Sequence, residues 1–490
     1  MKNLKSSRAR SKPAKTGASF GAIATAALGG ALVTGAVMTA GFARSTISAD
    51  TFRQLDLFGE VFEQVHENYV EKPEDATLIK GAIDGMLGEL DPHSSFLTAS
   101  DYDRMQEQTR GSFAGLGIQV VMDSEGEDKG YVKIVAPIDD TPAAKAGLKS
   151  NDLIVEIDGQ DVFPMSIDDA IALLKGPKGT SVEIAVRRNR DEEPFDVKLV
   201  RDIIKTDAVT ARVEGDFGYL RVRTFSEQTE KQLLKGIKKL EQDIAGGPKG
   251  YVVDLRSNPG GLLDQAVAVS DAFLDGGEIV STRGRNPKDT LREMGTPGDK
   301  VKGRPIIVLI DGGSASASEI VAGALQDRNR ALLLGTDSFG KGSVQTVIPL
   351  QNGLQGALRL TTARYYTPSG RSIQAKGISP DVAYPVIFPG QDELGPRRGE
   401  KDLPNALDVP EEAEEAKEEA EEIAAEAEVD ATPEAEGEDV TAAELVEPVL
   451  CEQPDEDEFR DCQLERALEI LADSTVYRST LADAGAARAQ

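Results

Sequence analysis

The sequence predicts a multidomain α+β protein: helices first, then a β-rich module with two helices, a core of strand–strand–helix units, and an acidic C-terminal extension. Three observations predict it. At 490 residues the chain exceeds the length at which a single hydrophobic core stops growing. Its apolar spacing is helical over residues 50–110, changes to short glycine-punctuated strands over 111–203, and alternates strands with helices over 204–388. From residue 389 the core-forming pattern stops, leaving an acidic linker over 389–450 and a short helical segment over 451–490.

The first 15 residues hold six basic side chains (Lys2, Lys5, Arg8, Arg10, Lys12 and Lys15) and no acidic one, and residues 16–43 carry no charge. The uncharged run exceeds the roughly 20 residues that cross a bilayer. Its basic flank puts the N-terminus in the cytoplasm. A transmembrane anchor is expected, with a signal peptide as the alternative, because Ala40-Gly41-Phe42-Ala43 makes a poor small-x-small cleavage site. Either way the remainder is exported, to a periplasmic or cell-envelope location at the inner membrane.

Over residues 50–110, Leu55, Phe58, Val61, Phe62, Val65 and Tyr69 recur at helical spacing, and Leu78, Ala82, Ile83 and Leu87 repeat the pattern. Such a stripe is expected to face a core. Asp91-Pro92-His93-Ser94 stops the helix, and His93 reads as a capping or structural hydrogen-bonder. In the next module Gly115-Leu116-Gly117-Ile118 lets successive N–H groups converge on a carboxylate, beside a strand edge that can pair with an extended peptide. An ordinary glycine-rich hairpin is the plainer alternative.

The chemistry centres on residues 305–345. Pro305–Ile310 is an apolar, β-branched strand, and Asp311-Gly312-Gly313 breaks it. Ser314-Ala315-Ser316-Ala317-Ser318-Glu319 then leads into a helix with small hydroxyl residues at its start. A serine there can stand beside unbonded helix N–H groups that would hold an oxyanion. Serines before helices also serve simply as N-caps. Further on, Lys341, Ser343 and Gln345 share one face at the strand period of two, suggesting a lysine base oriented by a glutamine. With His66 and His93 far away in sequence, a Ser-His-Asp triad is unpromising, whereas a desolvated lysine can serve as base. Gly335-x-x-x-x-Gly340-Lys341 mimics a phosphate-binding loop, but Gly342 stands where a Ser or Thr is needed and a strand pattern follows. In the turn after Tyr251–Leu255, Gly260 or Gly261 is the second oxyanion-hole candidate, beside the N–H of Ala317.

The formal charge of −29 is unevenly placed: residues 411–447 hold seventeen acidic residues against Lys417 alone, a net −16 that leaves −13 elsewhere. That balance argues against nucleic-acid binding. Cys451 and Cys462 would close a small loop in an oxidising compartment and stay thiols in a reducing one. No Cys/His cluster has zinc-ligand spacing, so no metal is expected.

The Gly-Ser-Ala-Ser-Ala-Ser-Glu-Ile and Phe-Gly-Lys-Gly-x-x-Gln segments, with the order of domains, resemble the carboxy-terminal processing (tail-specific) serine proteases over roughly residues 50 to 385. The module at 111–203, with its Ala-Gly-Leu…Asp-x-Ile…Asp-Gly pattern, resembles a PDZ domain. The resemblance implies a crotonase-like (ClpP-like) core with Ser316 as nucleophile, Lys341 as base and Gln345 positioning it. It also implies clients with accessible C-termini, homo-oligomers built through the terminal helices, an activating adaptor, and neither cofactor nor ATP. A PDZ scaffold that captures C-termini without cutting them is the competing reading.

Overall fold

The computed structural model describes residues 48–123, 129–163, 165–188, 193–389, 398–409, 447–453 and 460–488. The basic residues 1–15, the expected membrane segment 16–43 and most of the acidic linker lie outside the described residues. Among the described ones, no helix is long and apolar enough to cross a membrane. The chain divides into two units, Met1–Ile79 and Lys80–Gln490.

In the first unit, helix α1 (Ala49–Asn68) starts at Ser48, whose hydroxyl accepts the Thr51 N–H. The helix is where the apolar period puts it, yet it buries none of its residues. Leu55, Phe58, Val61, Val65 and Tyr69 are exposed. This corrects the expectation of a core-facing stripe: periodicity reports an amphipathic helix, not what covers its apolar side. Helix α2 (Asp75–Gly88) follows.

The second unit continues with β1 (Ser95–Leu97), α3 (Ala99–Arg110) and β2 (Ser112–Gly115). Thr98 and Asp101 form a reciprocal capping box that fixes the start of α3. The β-rich module comprises β3 (Ile118–Met122), β4 (Val132–Pro137), α4 (Pro142–Lys145), β5 (Leu153–Ile157), β6 (Gln160–Asp161), α5 (Ile167–Leu174), β7 (Ser181–Arg187), β8 (Phe195–Val200) and β9 (Asp202–Lys205). Its antiparallel sheet runs β3-β4-β5-β7-β8, around a core that includes Ile134, Ile154, Ile184 and Leu199. β2 pairs with β9, Ser112 opposite Lys205, so the module leaves and returns at one point.

The core sheet runs β10 (Val209–Glu214), β11 (Phe217–Val222), β12 (Tyr251–Asp254), β15 (Ile306–Ile310), β16 (Leu332–Gly335) and β19 (Val382–Ala383), parallel from β11 onward. Helices α6 (Thr229–Asp243), α7 (Leu263–Asp271) and α8 (Ala317–Asp327) cover one face. Ile306, Val308 and Ile310 join their core, while the alternate residues Ile307 and Leu309 join a separate cluster on the other face. That second cluster is completed by α9 (Cys462–Ala472) and α10 (Ser474–Arg488), through Leu464, Ile470, Leu471 and Tyr477. The C-terminal segment that reads as an appendage is therefore the back layer of the core. A second sheet, β1-β18-β13-β14 with β17 on β18, contains β13 (Gly277–Gly284), β14 (Leu291–Gly295), β17 (Ser343–Pro349) and β18 (Ala357–Tyr366).

Between β20 (Val386–Ile387) and α9, β21 (Val449–Leu450) pairs parallel with β20. Cys451 and Cys462 are joined by a disulfide. Closing a loop of this size withholds entropy from the unfolded chain worth about 3 kcal/mol. Cys451→Ser with Cys462→Ser, or dithiothreitol, is expected to lower the melting temperature by several degrees. Calorimetry with and without reductant checks this; an unchanged transition would refute it.

Candidate active site

The turn from β15 to α8 is built from backbone and small side chains. Asp311 Oδ1 accepts the N–H groups of Ser257 and Gly313, and Ser314 Oγ donates to Leu255 O at 2.9 Å. Ser316 then takes φ 54°, ψ −110°, a conformation that strains any residue with a Cβ by about 1–3 kcal/mol. The strain presents the Ser316 side chain at the helix start, 8% exposed. Neither the Ala317 N–H nor the Gly261 N–H has a backbone partner outside regular structure among the described residues.

Asn258, fully buried, holds the neighbouring turn over this elbow. Its carbonyl accepts Ala315 N–H and Ser318 Oγ, its side-chain amide donates to Val222 O, and its Oδ1 takes the Gly260 N–H at 3.0 Å. Gly260 has φ +100°, and a Cβ there would lie 2.8 Å from Ala315 O and 3.0 Å from Ala317 N. Only glycine fits. Of the two glycines named from sequence, Gly260 thus has its N–H committed and Gly261 does not.

Lys341 sits in the loop before β17 rather than in the strand, and the β17–β18 register shifts at Val344/Gln345, where Thr362 of β18 is the extra residue. The period of two applies to Ser343 and Gln345, which lie in β17, and stops short of Lys341, which precedes it. Gln345 Nε2 donates to Ser343 Oγ at 2.9 Å and more weakly to Thr361 Oγ1. A strand follows Lys341, so the loop is not a phosphate-binding one. Burial lowers the Lys341 pKa below the usual lysine range. Arg359 pushes the same way, against Glu400, Glu319 and Asp91.

Several groups around Lys341 escaped the sequence reading. Burial raises the Asp91 pKa, but hydrogen bonds from Ser94, the His93 N–H and Thr361 outweigh it and leave the carboxyl below its ordinary value. The Asp91–Ser94 turn is thereby fastened to β18. The His93 ring meets both oxygens of the fully buried Glu400 at 2.8 Å, consistent with a structural histidine. Glu319 is also buried, and accepts the N–H groups of Ser316, Gly340 and Lys341. A signal for it was present: Ser316-x-x-Glu319 is the spacing of a capping box. Asp91 and Glu400 carry no such local signal.

In the β-rich module, Gly115, Leu116, Gly117 and Ile118 line a cavity of about 330 Å³ with Phe113 and Ile171. The N–H groups of Leu116 and Gly117 have no backbone partner outside regular structure among the described residues. Arg104 and Lys175 stand at its edge, ion-paired with Asp168 and Glu107.

Fold and site together define a serine peptidase that carries a separate β-rich module. Residues 216–384 match the model of peptidase family S41, 133–188 that of the PDZ domain, and 35–100 that of the activating protease CtpB N-terminal domain. A carboxy-terminal-processing protease of Bartonella bacilliformis is 53% identical over 341 residues, covering 69% of this chain and 77% of that one. The carboxy-terminal processing protease CtpA of Bacillus subtilis is 36% identical over 332 residues, covering 67% and 68%. A solved photosystem II D1 C-terminal processing protease shares 30% identity, covering 69% of this chain and 93% of that one, with a TM-score of 0.39. The chain belongs to peptidase family S41, among the carboxy-terminal-processing serine proteases.

Proposed function

We propose that Ser316 and Lys341 are the nucleophile and base of an exported, membrane-tethered endopeptidase that cuts proteins at or near their C-terminal tails. Neutral Lys341 takes the Ser316 Oγ proton as the oxygen attacks the scissile carbonyl carbon. The N–H groups of Ala317 and Gly261 receive the oxyanion, with Gly260 contributing by lacking a side chain. Collapse breaks the C–N bond, and the Lys341 ammonium returns its proton to the departing amine. Water, deprotonated by Lys341, then attacks the acyl ester and Ser316 recovers its proton. Gln345 Oε1 is the acceptor available to orient Lys341. The observation that carries this reading is the strained serine with a free helix N–H beside it and a lysine depressed by burial.

Ionisation sets the pH dependence. The base must be neutral, so kcat/KM rises with pH and levels off above the depressed Lys341 pKa. The test is cleavage of an unfolded protein with an apolar C-terminus, without ATP or metal, followed by mass spectrometry. A rate that instead falls as pH rises from 6 to 9 would refute lysine as the base. If wild type cuts nothing, a serine-directed covalent probe decides between a resting enzyme, labelled at Ser316, and a non-catalytic scaffold, unlabelled.

The PDZ cavity would hold the client's terminal apolar residue on Phe113 and Ile171, with its carboxylate on the Gly115–Ile118 N–H groups. Capture raises the local concentration of the tail at Ser316. Ile171→Asp is expected to weaken a fluorescent peptide with a free apolar C-terminus at least tenfold in anisotropy titrations, and amidating that C-terminus to do the same. Equal binding by all pairs would rule the cavity out. The exposed stripe on α1 supports self-association, and the uncharged segment at 16–43 supports the tether and the cell-envelope location.

A further inference from the structure

We infer that Glu319 is a positioning residue whose carboxylate holds the Ser316 elbow and the Lys341 loop in register, an inference that rests on the Ser316–Lys341 reading above. Glu319 is 1% exposed and stands one helical turn beyond Ser316. Oε2 accepts Ser316 N–H at 2.7 Å and Lys341 N–H at 2.9 Å. Oε1 accepts Ser338 Oγ at 2.6 Å and Gly340 N–H at 2.7 Å. One side chain on α8 thus binds the backbone of both reacting residues, which lie in different segments of the chain.

The geometry also favours one charge state. Each oxygen faces two donors, and three of the four are backbone N–H groups that cannot accept. The fourth, Ser338 Oγ, already receives the Ile378 N–H at 2.7 Å. A carboxylic acid proton on Oε2 would meet two backbone N–H donors, and one on Oε1 would have to reverse the Ser338 hydrogen bond, so all four donors are satisfied together only by the anion. Burial works against the anion and pushes the Glu319 pKa up to about 7 in spite of those four bonds. Of the groups facing it, Ser316, Ser338 and Gly340 carry no charge, and Lys341 is the ionisable one. Below neutrality the clamp takes up a proton, two donors lose their acceptor, and Lys341 parts from Ser316. Activity then needs two groups deprotonated, Glu319 and Lys341.

The test compares full-length wild type, Glu319→Gln, Ser338→Ala and Ser316→Ala. Glu319→Gln keeps the shape, but in either amide orientation its N–H₂ group meets at least one backbone N–H donor. Expected is a fall in kcat of at least 100-fold, with KM and PDZ-peptide affinity within about twofold and a retained melting transition. The pH profile gives a readout that a role in folding alone would not move. For wild type, log kcat should climb more steeply below about pH 7, by one unit of slope, than the Lys341 ionisation alone produces. Residual activity of Glu319→Gln should lack that extra steepening and follow the Lys341 ionisation alone, levelling off above the depressed Lys341 pKa. Where Glu319→Gln does not fold, Ser338→Ala decides, since losing one donor should move the steep limb to higher pH by half a unit or more. An inactive Ser316→Ala together with Glu319→Gln within threefold of wild type, or a steep limb unmoved in Ser338→Ala, would overturn the role of Glu319. An active Ser316→Ala would instead overturn the underlying nucleophile assignment.

Discussion

Ser316→Ala and Lys341→Ala are each expected to reduce peptide cleavage by roughly 10⁵-fold, because each removes one half of a unit that works together. The double variant should be no worse than either single one. Stability should move little. Ser316 Oγ makes no hydrogen bond that the fold uses, and replacing a residue at positive φ by alanine leaves the strain as it was. Lys341→Ala removes a buried cation, so its melting temperature should hold or rise. Lys341→Arg should be as inactive as the alanine variant, since a guanidinium stays protonated at any working pH. Progress curves from purified variants, with circular dichroism to confirm folding, check all three. Cleavage by Lys341→Ala above one-hundredth of the wild-type rate would mean another group takes the serine proton. His93, held by Glu400 beside the lysine, would then be the next residue to replace.

Ending the chain after residue 447 is expected to cost the folded protein itself. The loss would expose Ile307, Leu309, Leu332 and Leu334 on the back of the core sheet, all with no accessible surface in the intact chain. At roughly 2 kcal/mol for each fully buried aliphatic side chain, those four alone come to about 8 kcal/mol, within the 5–15 kcal/mol that ordinarily separates folded from unfolded protein. The truncated chain should be insoluble, or bind a hydrophobic dye and lose its cooperative melt. A monomeric truncated protein that melts within 5 °C of wild type would show that α9 and α10 are dispensable. Leu471→Ala, which leaves the helices in place, should cost about 3 kcal/mol in denaturant titrations.

Much of this was legible in sequence because it is local. The run Ile306-Ile307-Val308-Leu309-Ile310, the glycine break and the small-residue helix start each declare their structure within a few residues, and the strand–turn–helix around Ser316 followed. What failed to show is what depends on distant partners. Five consecutive apolar residues in a parallel strand do say that both faces are covered, yet nothing in β15 says that the second cover comes from α9, far along the chain. His93 and Glu400, 307 residues apart, meet only through the fold. The start of β17 is likewise set by its pairing with β18, so counting by twos carried Lys341 into a strand that begins only at Ser343. Glu319 lies between these cases: its spacing from Ser316 is local, but its hold on Ser338, Gly340 and Lys341 is not.

The pairing of β20 with β21 brings two distant stretches of chain together. Val386–Ile387 and Val449–Leu450 lie side by side, about 5 Å apart, the ordinary distance between neighbouring strands. Between them the chain comes back to the core once more, at residues 398–409, where the buried Glu400 meets the His93 ring and Leu407 O accepts the Gln374 side-chain amide. A single linker joining β20 directly to β21 would keep α9 and α10 on their sheet and still strip Glu400 from the surroundings of Lys341. The shortest deletion that leaves the site its neighbours therefore begins after residue 409, not after β20.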